Sequence, residues 1–124
     1  MAHQHFYELE VYAECRRFRK KVSEIVNRGF PGHERFLLSS QLLDASRSVT
    51  ANIAEGYGRF YYKESIQFHR IARGSLCESF DHLLCAFDES YLDENTLQEM
   101  NALYVKCLKL LNGYISYLKR QSQT

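Results

Sequence analysis

The sequence specifies an all-α protein, an antiparallel up-down-up-down four-helix bundle. Three observations lead there. Four stretches repeat apolar residues at alternating spacings of three and four, which puts those residues on one face of a helix. The 124 residues include one proline and six glycines, too few breakers for many turns. The polar gaps between the periodic stretches are short, and short connections join antiparallel neighbours. A chain of this length makes one domain, residues 1–124, and buries roughly two-thirds of its unfolded surface, enough for one core.

Residues 1–7 read as a frayed lead-in. The first helix covers about residues 8–28, with Val11, Cys15, Phe18, Val22 and Ile25 as its apolar seam. Its other face carries Arg16, Arg17, Lys20 and Lys21, with Arg19 at the border. Gly29-Phe30-Pro31-Gly32 ends it: Gly29 supplies a left-handed cap, and Pro31 disfavours a helical Phe30. The second helix starts between His33 and Ser39, either capped by Ser39 or Ser40 or directly after Pro31, and runs to Tyr57. Leu38, Leu42, Ala45, Val49, Ile53 and Gly56 are its seam. Its small residues Ala45, Ser46, Ser48 and Ala51 leave room for a close neighbour.

Ser48 to Arg59, Ser-Val-Thr-Ala-Asn-Ile-Ala-Glu-Gly-Tyr-Gly-Arg, is the stretch on which the rest turns. Asn52 and Glu55 lie beside the apolar face, and Gly56 and Gly58 stop the helix by accepting a left-handed conformation. The third helix, about Tyr62 to Ser90, turns Phe68, Ile71, Ala72, Ser75, Leu76, Ser79, Phe80, Leu83 and Phe87 inward. Gly74 in its middle costs about 1 kcal/mol relative to alanine, which suggests a close helix crossing. Asp93 caps the fourth helix, whose seam is Leu97, Met100, Tyr104, Cys107, Leu111, Tyr114 and Leu118. Flanking rows of Leu103, Leu110 and Tyr117, and of Leu108 and Ile115, widen its apolar arc beyond the ~100° stripe of a simple surface helix. Either a subunit interface or deep insertion accounts for that width. Residues 119–124 read as a polar, irregular end.

Charge is uneven. Residues 1–73 hold 12 Lys and Arg against 8 Asp and Glu, a net of +4; residues 74–124 hold 4 against 7, a net of −3. One face or end is then basic and another acidic, which suits a polyanion partner or head-to-tail self-association. No run of about 18 apolar residues exists, so no helix spans a membrane. The first residues lack the zones of a signal peptide, and the expected location is cytoplasmic. The four cysteines, at 15, 77, 85 and 107, form no Cys-x-x-Cys pair and read as reduced, half-buried residues.

Little in the chain points to catalysis. Gly56-Tyr57-Gly58-Arg59 lacks the third glycine and the lysine of a phosphate loop, and it follows a helix instead of a strand. Glu55, Arg73 and Glu78 have no placed nucleophile or base beside them. They read as structural: Arg47 or Arg73 meets Glu55, Asn52 adds hydrogen bonds, and helices two and three are locked together. The histidines make no metal-binding pair on one helix, so neither a metal nor any other cofactor is expected. The candidate binding surface is Arg16, Arg17, Arg19, Lys20 and Lys21, to which Arg59 and Lys63 add bases among Tyr57, Phe60, Tyr61 and Tyr62. Aromatics among bases suit stacking combined with phosphate contact; a solvated helix face is the alternative.

Leu42, Ala45, Ser48-Val49, Asn52-Ile53-Ala54-Glu55-Gly56-Tyr57-Gly58-Arg59, Lys63-Glu64, Phe68, Ile71-Ala72-Arg73-Gly74-Ser75 and Glu78 form one extended pattern, with Glu10-Val11-Tyr12, Phe30-Pro31 and Glu34 upstream. It resembles the four-helix-bundle proteins encoded by intervening sequences in bacterial 23S ribosomal RNA genes. The resemblance implies a homo-oligomer, a pentameric ring. It is also similar to the accessory variability protein of diversity-generating retroelements, which implies contact with RNA or DNA and with a partner protein such as a reverse transcriptase. The expectation is a non-enzymatic bundle that binds nucleic acid weakly, the alternative an oligomeric scaffold that recruits such a partner.

Overall fold

The structure, a computed structural model, describes residues 5–123. Four helices make up the chain: α1 (Glu10–Gly29), α2 (Leu38–Tyr57), α3 (Tyr62–Asp88) and α4 (Glu94–Ser122). Two single 3₁₀ turns, Phe6–Glu8 and Gly32–Glu34, precede α1 and α2. α1 packs on α2 and α4, and α3 packs on the same two, so α1 and α3 stand on a diagonal. This is the up-down arrangement expected from the short connections. Phe18, Leu42, Ile53, Leu76, Leu83 and Leu111 are fully buried at its centre. Burying each contributes roughly 1.5–3 kcal/mol.

The seams differ from the expected ones in instructive places. In α1, Val26 is buried and Ile25 is only half-buried. In α3 the buried row is Ser65, Ile66, His69, Ala72, Leu76, Ser79, Leu83 and Ala86, while Ile71 is 51% exposed. Ala72, Leu76, Ser79 and Leu83 are buried as expected, and the departure is in the first half of the helix, where Ile66 and His69 take the inward positions. In α4 the flanking Leu103 joins the main core and the flanking Ile115 is also buried, so much of the wide apolar arc is used inside the chain, against both α1 and α3. A small second cluster, Ile66, Ile115 and Leu118, lies apart from the main core and involves only α3 and α4.

The helix ends also correct several expectations. The lead-in is not frayed at residues 5–7: the His5 N–H donates to Glu8 Oε2 at 3.2 Å and Phe6–Glu8 close a turn. Residues 1–4 lie outside the described residues. No glycine has a positive φ, so Gly29, Gly56 and Gly58 cap nothing by left-handed geometry. Gly29 is required for space, because a Cβ there would lie 2.6 Å from the Tyr91 carbonyl oxygen. α2 is capped by neither Ser39 nor Ser40; the Leu38 N–H donates to Glu34 Oε1 at 3.3 Å. α4 continues through Ser122, where an irregular end was expected.

The turn between α3 and α4 is closed by Ser90, the single non-glycine residue with positive φ among the described residues, at 66°. The Tyr91 N–H bonds the Ala86 carbonyl and the Ser90 N–H the Phe87 carbonyl, a Schellman closure. Tyr91 then reaches back to the α1–α2 connection: its hydroxyl donates to Glu34 at 2.9 Å and its ring lies 5.5 Å from Phe30. Asp93 caps α4 as expected, accepting from the Thr96 N–H at 2.8 Å. Hydrogen bonding by the Thr96 side chain first, and then by its N–H, holds the Asp93 carboxyl below its ordinary range.

All four cysteines are free thiols, but none is half-buried: Cys15 and Cys107 are buried and Cys77 and Cys85 exposed. A hydrogen bond between Cys15 and Cys107, reinforced by burial, pushes the Cys15 thiol up.

Candidate functional site

The outer face of α1 carries the charge. Arg16, Arg17 and Lys20 are exposed, and Lys21 is half-buried at the side. Their positions follow from the seam, because Val11, Cys15, Phe18 and Val22 turn the opposite side of the same helix inward. The turn Phe6–Glu8 folds back over the start of α1, with Phe6 edge-on to Tyr12 at 5.0 Å. The result is an open groove of about 660 Å³ lined by Phe6, Tyr7, Tyr12, Arg16, Arg17, Lys20, Lys21 and Glu24.

The charges in this groove differ in availability. Glu14 accepts from Lys106 of α4 at 3.0 Å and lies 3.5 Å from Arg17. The hydrogen bond from Lys106 leads in holding the Glu14 carboxyl below its ordinary range, so it stays ionised and partly neutralises Arg17. Arg16, Lys20 and Lys21 have no carboxylate within ion-pair distance among the described residues. Arg19 is turned away: its guanidinium donates to Thr50 Oγ1 of α2 at 2.8 Å, and it serves packing between α1 and α2.

Arg59 and Lys63 do not join this face. Arg59 donates to Glu55 at 3.2 Å and lies 4.5 Å over the Phe68 ring. Lys63 lines a separate shallow recess of about 450 Å³ with Tyr61, Tyr62, Glu64 and Ser122. Two aromatics of the α2–α3 connection stand in solvent, Phe60 at 89% and Tyr61 at 65% exposure. The aromatics that flank the α1 bases are Tyr12 of the helix itself and Phe6 and Tyr7, which were expected in a frayed lead-in. Their closeness in sequence to Arg16 was the available signal.

The motif residues are dispersed. Asn52 donates to the Ser48 carbonyl at 2.8 Å and the Ser48 hydroxyl at 3.0 Å, within its own helix. Glu55 pairs with Arg59, four residues on. Arg73 donates to Asn112 Oδ1 of α4 at 2.8 Å, and Glu78 pairs with His82 at 3.2 Å. The expected lock of α2 to α3 by Asn52, Glu55 and Arg73 is therefore not the one formed. Two other contacts join those helices. The Ser48 and Ser75 hydroxyls meet at 2.9 Å. Gly56 faces the His69 ring so closely that a Cβ would lie 2.7 Å from Cε1. Gly74, expected at a close crossing, is exposed and has no atom within 4 Å of the place its Cβ would take. Among the described residues no group of three or more metal-ligating side chains occurs, and no helix is long and apolar enough to cross a membrane.

Fold and groove define a small all-α bundle with a cationic outer face on its first helix. The family model of the 23S rRNA-intervening sequence protein matches residues 7–113, and the chain belongs to that family. Among solved structures, it is similar to a protein of unknown function from the S23 ribosomal protein family of Bacteroides thetaiotaomicron, with a TM-score of 0.78 and 21% identity. The similarity covers 86% of this chain and 95% of that one, and at that identity it speaks to the fold alone. No curated protein matches the chain.

Proposed function

We propose that this chain is a non-enzymatic, cytoplasmic homo-oligomer, a pentamer, that binds RNA or DNA weakly through the outer face of α1. The observation that carries the reading is the groove in which Arg16, Lys20 and Lys21 stand beside Arg17 without carboxylate partners among the described residues. Such a row suits phosphates, whose neutralisation releases counterions and supplies most of the affinity. The scatter of Glu55, Arg73 and Glu78 over three unrelated contacts supports the non-enzymatic part. Exposed Phe36, at 83%, and Leu37, at 58%, support contact with further copies.

A fluorescence-anisotropy titration tests the binding. Four phosphate contacts give a log–log salt slope of about −2.8 to −3.6, a loss of roughly 50- to 150-fold between 50 and 200 mM salt. Absence of binding at 50 mM salt sinks the reading. So does binding unchanged by the combined variant Arg16→Glu, Arg17→Glu, Lys20→Glu and Lys21→Glu. A second reading, an oligomeric scaffold that recruits a partner protein such as a reverse transcriptase, is favoured by the solvent-facing Phe60 and Tyr61.

A further inference from the structure

The groove on α1 has aromatic side chains at one end and basic ones along its floor. Tyr7 is 57% exposed and stacked on His5, with ring centroids 5.0 Å apart and planes 4° from parallel. Phe6 braces it edge-on at 5.5 Å. One face of the phenol ring is thus backed by an imidazole, and the ring is held in place. From Tyr12 to Glu24 the floor runs 12 helical rises, about 18 Å, the length of about five stacked nucleotides. Glu24 closes the far end with a charge that repels phosphate.

We propose that this groove accepts a short single-stranded nucleic-acid segment, one base stacked on Tyr7 and the following phosphates on Arg16, Arg17, Lys20 and Lys21. The inference rests on the nucleic-acid reading above and narrows it to unpaired strands. A duplex keeps the faces of its internal bases against one another, so they cannot reach a ring that offers its face. An unpaired base can, and stacking of this kind tolerates any base.

The test is anisotropy at 50 mM salt with a labelled 12-nucleotide RNA, alone and annealed to its complement. Tyr7→Ala and Tyr7→Phe are compared with the unaltered chain, and circular dichroism checks that both variants keep their helices. The single strand is expected to bind at least tenfold more tightly than the duplex. Tyr7→Ala should weaken single-strand binding about tenfold and leave duplex binding as it is, while Tyr7→Phe retains the affinity. Equal affinity for both forms, or no effect of Tyr7→Ala, overturns the single-strand assignment and leaves phosphate binding on α1 standing. If neither form binds, or if the fourfold charge reversal has no effect, both readings fall.

Discussion

A neutral imidazole occupies a core position of α3. His69 is fully buried, its Nδ1–H donates to the Ser65 carbonyl at 2.7 Å, and its Nε2 has no hydrogen-bond partner among the described residues. Burial moves its pKa below the ordinary 6.5. The folded state therefore binds this proton less readily than the unfolded chain. Above about pH 6.5 neither state carries it and stability is complete; below, the unfolded chain is protonated first and stability falls, by up to about 1.4 kcal/mol per pH unit. Urea titrations at pH 7, 6 and 5 should show this slope, and His69→Gln should flatten it. An equal slope in both proteins would count against the buried neutral ring. The same side chain dictates Gly56. Gly56→Ala gains helix propensity but drives a methyl into a pinned ring, and a net loss of about 1–2 kcal/mol is expected. Gly74→Ala, where the Cβ meets nothing, should gain about 1 kcal/mol in the same assay. The opposite order of the two variants would refute this assignment of the close crossing.

The four helices were legible because each carries a long run at one period, and Asp93 was legible as a cap because its partner lies three residues away. What failed to read was pairing at a distance. Glu34 and Tyr91 are 57 residues apart, and nothing local announces that one hydroxyl will tie the α3–α4 turn to the α1–α2 connection. The α3 face was misread for a related reason. Ala72, Leu76, Ser79 and Leu83 were read inward and are buried, but in the first half of the helix Phe68 and Ile71 outweigh His69 on any hydropathy scale, and the buried Ile66 and His69 were passed over. At the end of that helix Ser90 holds a left-handed conformation that costs a non-glycine residue roughly 1 kcal/mol. Ser90→Gly should relieve part of it and raise the melting temperature by about 2–4 °C. A lower melting temperature would show that the Ser90 side chain contributes more than its backbone costs.

Charge separation survived from sequence to architecture. The acids Asp88, Glu89, Asp93 and Glu94 sit at the α3–α4 turn, while Arg16, Lys20 and Lys21 on the outer face of α1 have no carboxylate within ion-pair distance among the described residues. The aromatic part of the groove did not, because it depends on Phe6–Glu8 doubling back over α1. If the chain assembles as proposed, light scattering in the absence of nucleic acid should report five chain masses; a monomer at every concentration would remove the oligomer from the account. One property of the lone chain follows from unequal helix lengths. α3 and α4 have 27 and 29 residues against 20 each for α1 and α2, and the Ile66, Ile115 and Leu118 cluster is theirs alone. That end rests on one interface where the middle of the bundle has several. That end is expected to open before the rest, and native-state hydrogen exchange should find backbone amides beyond Tyr114 trading with solvent before those beside Leu111; equal protection of the two would count against it.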